Sequence, residues 1–97
     1  MTNTQIAAIF RELADTLIQK KESWFKIRAY RKVAEEIAKL PAELSVLASE
    51  GRLREIPGVG EAIEKKIKEI LTTGRLHLLE QLKAEIGEGK IEQSRKQ

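Results

Sequence analysis

Residues 53–60, LREIPGVG, run directly into residues 61–71, EAIEKKIKEIL. Leu53 to Ile56 ends a short helical arm, and Pro57-Gly58-Val59-Gly60 makes a tight turn. A second helix then opens with its first amides unpaired. The two glycines let the backbone reverse sharply and lie close to a ligand. The new helix start offers N–H groups and the positive end of a dipole, which suits a phosphate. The same four residues also serve as a plain turn between packed helices. Their setting favours the first reading: Ile56 and Val59 bracket the turn, Ile63, Ile67, Ile70 and Leu71 give the helix one apolar face, and Lys65, Lys66 and Lys68 lie in its first turns. This is a helix-hairpin-helix motif. Contacts to backbone rather than base edges predict DNA binding with little sequence preference, through Gly58, Val59, Gly60, Lys65, Lys66 and Lys68.

Working outward, Asn3 or Thr4 caps a first helix in which Ile6, Ile9, Phe10, Leu13 and Leu17 recur at helical spacing to about Lys20. A second helix from about Lys26 to Lys39 buries Tyr30, Ala34 and Ile37. Pro41 suits the first turn of a short third helix carrying Leu44 and Leu47, which Gly51 ends. The second arm of the hairpin runs from about Glu61 to Thr72 with Gly74 as its stop, and a last helix spans Leu76 to about Glu85. No strand pattern is present. The fold class is all-α, a compact bundle of short helices over residues 1–85 with a flexible polar tail at residues 86–97.

The chain has 97 residues, 41% hydrophobic and 34% charged, which bounds it to one small globular domain with a single core. No run approaches a membrane span and no signal-peptide layout opens the chain, so the expected location is cytoplasmic, nucleoid-associated in a prokaryote. With no cysteine and one histidine, His77, disulfide frameworks, cysteine zinc sites and histidine triads are excluded. His77 reads as a surface helix residue. Net charge is only +3, but it is unevenly placed. Residues 20–32 carry Lys20, Lys21, Lys26, Arg28, Arg31 and Lys32 against Glu22, a local +5, whereas residues 33–50 sum to −3.

Three of the four aromatic residues fall in or beside that basic stretch: Trp24, Phe25 and Tyr30. Rings interleaved with Lys26, Arg28, Arg31 and Lys32 combine stacking surfaces with phosphate-binding charges, as single-stranded or gapped nucleic acid requires. One ring of the Trp24–Phe25 pair is expected to close the core and the other to face DNA, Phe25 being the candidate. Lys65 points away from the apolar stripe of its helix and Lys66 sits at its border. A half-buried amine can attack an aldehyde to form a Schiff base, which makes Lys66 the candidate nucleophile; solvated phosphate contact is the alternative role.

From Asn3 through Lys83 the chain resembles the N-terminal lyase domain of family-X DNA polymerases, the polymerase beta type. Two blocks carry the likeness: WFKIRAYRKVAEEI, and LREIPGVGEAIEKKIKEILTTGRLHLLEQL. The resemblance implies an all-helical domain binding the 5′-phosphate side of a DNA gap in repair, as part of, or associated with, a polymerase or repair protein. It places the Schiff-base lysine of a 5′-deoxyribose-phosphate lyase on Lys66, with Lys26 and Tyr30 as its pocket helpers. It also implies a monovalent cation, Na+ or K+, held by the main-chain carbonyls of Arg54, Ile56 and Val59; no other cofactor is expected. Four positions depart from the family pattern: Ala62 and Leu78 replace lysines, Lys65 replaces a glutamate, and Phe25 replaces a base-stacking histidine. The palm of a polymerase is absent, so no polymerase activity is expected of this chain on its own. A non-enzymatic binding module is the leading expectation, followed by the lyase, and then by a protein-interaction domain whose hairpin packs on a partner.

Overall fold

The computed structural model describes the backbone of residues 1–95 and the side chains of residues 1–87. Helix α1 (Asn3–Gln19) opens on a capping box: the Thr2 hydroxyl accepts from the Gln5 N–H at 3.1 Å, and the Gln5 side chain accepts from the Thr2 N–H at 2.9 Å. The cap is therefore Thr2 rather than Asn3 or Thr4. Asn3 instead reaches across the chain, donating to the Ala42 carbonyl at 2.8 Å and accepting from the Leu44 N–H at 2.9 Å. It thereby caps α3 (Leu44–Ser49), whose own Glu43 provides no side-chain cap. Pro41 lies in the preceding turn, three residues before α3 rather than inside its first turn.

Lys21, at φ +56°, reverses the chain after α1. The Glu22 N–H bonds the Leu17 carbonyl and the Lys21 N–H bonds the Ile18 carbonyl, both at 3.0 Å, closing the helix as a Schellman motif. Helix α2 (Trp24–Lys39) starts two residues earlier than its periodicity suggests, because the Ser23 side chain accepts from the Phe25 N–H at 3.2 Å. It packs along α1. A short 3-10 turn (Leu53–Glu55), the hairpin, α4 (Glu61–Thr73) and α5 (His77–Arg95) follow. Among the described residues there are five α-helices and no strand.

The core is one cluster. Ile6, Phe10 and Leu13 of α1 meet Ile27, Val33 and Ile37 of α2, Leu44, Leu53, and Ile67 and Ile70 of α4, all at 2% exposure or less. Leu76, Leu79 and Leu82 seal it from α5 and the residue before it. Two ion pairs fasten α5 to α1 and its C-terminal cap: Lys83 to Glu12 at 2.6 Å and Lys20 to Glu85 at 3.1 Å. Helix α5 continues to Arg95 rather than ending near Glu85, with no proline to stop it and many strong helix formers. Gly87 and Gly89 lower helix propensity without ending the backbone pattern. Lys96 and Gln97, within the tail expected to be flexible, lie outside the described residues.

Candidate nucleic-acid interface

The hairpin is pinned by its apolar residues and open at its glycines. Ile56 and Val59 are 3% and 7% exposed. The Ile56 N–H bonds the Leu53 carbonyl and the Val59 N–H bonds the Ile56 carbonyl, both at 3.1 Å. Gly58 holds φ +88°, and a Cβ there would stand 3.6 Å from Lys32 Cγ and from Val33 Cγ2. The hairpin thus rests on α2 beside Lys32. Gly60 caps α4 at φ −103° and ψ −167°. A Cβ at Gly60 would meet nothing within 4 Å, and no side chain caps the helix. Its first bond is from the Glu64 N–H to the Gly60 carbonyl at 2.9 Å, so the amides of residues 61–63 have no intrahelical partner.

Two carboxylates in that first turn, Glu61 and Glu64, would by themselves repel a phosphate. Each is matched by a cation: Arg54 Nε lies 3.1 Å from Glu64 Oε1, and Lys65 Nζ lies 3.7 Å from Glu61 Oε1. Pro57 has no N–H to offer the Arg54 carbonyl, and neither that oxygen nor the Val59 carbonyl accepts a backbone bond among the described residues. The Ile56 carbonyl accepts one such bond, from the Val59 N–H.

Lys66 is half-buried, with Nζ 5.9 Å from the centroid of the Tyr30 ring. That half-buried ring stacks in turn on Phe10 at 6.1 Å and 23°. The fold therefore joins the candidate nucleophile to one of its two expected helpers, and Lys26, exposed, lies one helical turn before Tyr30. Lys65 and Lys66 line an open cleft of about 690 Å³ between α4 and α5, together with Ala62, Glu69, His77 and Leu78. His77 is exposed, and its backbone N–H donates to the Glu69 carboxylate, which caps α5.

The outer face of α2 departs from expectation. Neither Trp24 nor Phe25 closes the core: they are 63% and 86% exposed. Ile27 takes the inward place at 2%. With the helix capped at Ser23, Ile27, Tyr30, Ala34 and Ile37 share the buried side, Phe25 and Arg28 face away from it, and Trp24 lies at its edge. Phe25, Arg28, Arg31 and Lys32 line a shallow cleft of about 460 Å³. Arg31 lies 4.0 Å from Asp15 and Lys32 3.1 Å from Glu36, whereas Lys26, Arg28, Lys66 and Lys68 form no ion pair among the described residues. Lys32, read from sequence as one of the phosphate-binding charges beside the rings, is also the cation beside Gly58, a proximity that the sequence does not display.

An uncapped helix start, an open glycine hairpin and cations without ion pairs on two adjoining helices are features chemically suited to a phosphate backbone. The chain matches the family model described as the helix-hairpin-helix domain over residues 1–76, from the N-terminus to the residue before α5. It belongs to that family, whose domains are generally associated with DNA binding. No helix among the described residues is long and apolar enough to cross a membrane.

Proposed function

We propose that this chain binds DNA without regard to base sequence, at gaps, nicks or 5′-phosphate ends, by presenting the hairpin backbone and the start of α4 to a phosphate. The observation that carries the reading is Gly60, an exposed cap with open space around it at a helix start that no side chain satisfies. Backbone amides can approach a phosphate there without obstruction, while Lys32, Lys68, Lys26 and Arg28 supply charge around it. Na+ or K+ on the carbonyls of Arg54, Ile56 and Val59 would add a positive charge at the hairpin when bound. Such a module works where the DNA is, in the cytoplasm or on a nucleoid, joined to or alongside a polymerase or repair protein. Fluorescence anisotropy with labelled nicked, gapped and intact duplexes tests it. The expected log–log slope of affinity against salt is roughly −2 to −5, that of a handful of phosphate contacts. A flat response would replace this reading with a protein-interaction module.

A specific observation favours a second activity at the same surface. Lys66 is half-buried against Tyr30 at the edge of a cleft large enough for a sugar phosphate. In a 5′-deoxyribose-phosphate lyase its Nζ would add to the C1′ aldehyde with loss of water. Removal of a C2′ proton would then break the C3′–O bond with the DNA 5′-phosphate as leaving group, and hydrolysis would restore the amine. Ala62 and Leu78 leave this cleft with less positive charge than the resemblance would supply. Borohydride trapping on a 5′-incised abasic duplex decides the matter. A lyase gives an adduct that Lys66→Ala abolishes and Lys65→Ala keeps; bound DNA without an adduct leaves binding alone.

A further inference from the structure

Two of the four aromatic residues of this chain, Trp24 and Phe25, are held out in solvent at 63% and 86% exposure. They are adjacent, and they occupy the first two positions of α2. Their backbone is tied down: the Ser23 side chain caps the Phe25 N–H, and a Schellman closure at Lys21 ends the helix just before it. Arg28 lies four residues after Trp24 and three after Phe25, so both rings neighbour one guanidinium on the helix surface. Arg28 has no ion pair among the described residues, and it shares a shallow cleft with Phe25 and Lys32. Lys32 is also the side chain against which Gly58 of the hairpin packs. The cleft therefore leads from Lys32, beside the hairpin, to Arg28 and Phe25, with Trp24 one helical turn before Arg28.

We infer that Trp24 is a second stacking residue, which with Phe25 and Arg28 holds unpaired nucleotides of a strand whose phosphate is bound at the hairpin. The inference rests on the DNA-binding reading above and adds a specificity to it. Backbone contacts at the hairpin read the phosphate alone and not whether the neighbouring bases are paired, whereas exposed rings reward only bases free to leave their stack. An apolar protein partner would also cover two rings. Arg28 and Lys26, which form no ion pair among the described residues, instead complement a polyanion with flat faces, with Arg31 and Lys32 beside them partly offset by Asp15, Glu35 and Glu36.

Trp24 is the sole tryptophan, so its emission reports directly on stacking. The full chain is titrated with labelled DNA, reading anisotropy and tryptophan emission together, on an intact duplex and on the same duplex carrying a gap of several nucleotides. The expected result is quenching that follows binding on the gapped DNA and little on the intact one. Trp24→Ala, a change at an exposed side chain, should weaken gapped-DNA binding by roughly 5- to 100-fold and leave intact-duplex binding within about twofold. Trp24→Phe should retain most of the preference. Binding to gapped DNA with unchanged emission overturns the inference while leaving the hairpin reading in place, and so does an equal loss on both DNAs in Trp24→Ala. No anisotropy change with any DNA overturns both.

Discussion

Gly58 and Gly60 stand two residues apart and answer to different constraints. Gly58 needs its φ of +88°, so Gly58→Ala should cost about 1–2 kcal/mol of stability, read by urea denaturation. Gly60 sits in extended backbone that any residue adopts, with open space beyond it, so Gly60→Val should fold normally. Its side chain would nevertheless stand between the α4 amides and a phosphate. Losing one charge-assisted hydrogen bond there should lower DNA affinity by roughly tenfold or more, further than replacing any single surface lysine. Unchanged affinity in folded Gly60→Val would remove the hairpin from the interface. PGVG as a turn is legible in the string of residues, but which glycine serves geometry and which serves approach depends on backbone angles that a sequence does not display. The place of Trp24 escapes the sequence for a related reason, whereas Phe25 is exposed as expected. Starting α2 at Lys26 rather than after Ser23 reads Trp24 as a loop residue free to fold inward.

At the scale of the elements, the apolar stripes of α1, α2 and α4 are readable because helical periodicity is local, and Gly51 and Gly74 do end α3 and α4 at φ +69° and +78°. The ends held by distant or unusual partners are not readable. Asn3 caps a helix that begins 41 residues away, and Lys21 fills a left-handed position where glycine is at ease. Lys21→Gly should therefore raise stability, by up to about 1 kcal/mol, in a thermal or urea melt; a loss would mean that the lysine side chain supports the turn. The arm before the hairpin carries its own electrostatic detail. Arg52 hydrogen-bonds Glu55 and holds its carboxyl below the usual carboxylate range, while Glu55 and Glu50 raise Arg52. A carboxyl depressed in the folded state stabilises above its unfolded value, near ~4.3, and loses that contribution as pH falls through its folded value. The difference in stability between the native chain and Glu55→Gln should thus be present at neutral pH and vanish in acid. It should be small throughout, since the pair is solvent-exposed.

The whole molecule joins a family-wide part to a closing helix. The family match ends at Leu76, just before α5, yet Leu79 and Leu82 of that helix are 7% and 9% exposed and belong to the core cluster. Burial of side chains this size stabilises by about 1.5–3 kcal/mol each, so removing both would cost roughly 3–6 kcal/mol. That is a large share of the ~5–15 kcal/mol available to a domain of this size. The pairs of Lys83 with Glu12 and Lys20 with Glu85 are more exposed and add less. Truncation after Leu76 should therefore leave a chain that melts without a cooperative transition or far below the full-length protein. Truncation after Gly87 keeps every side chain of the core cluster among the described residues and should shift Tm by no more than a few degrees. Calorimetry of the two truncated chains separates the possibilities: a cooperative, full-stability melt for the shorter one would mean that α1–α4 close the core without α5, and a large loss in the longer one would mean that residues 88–97 contribute to the fold.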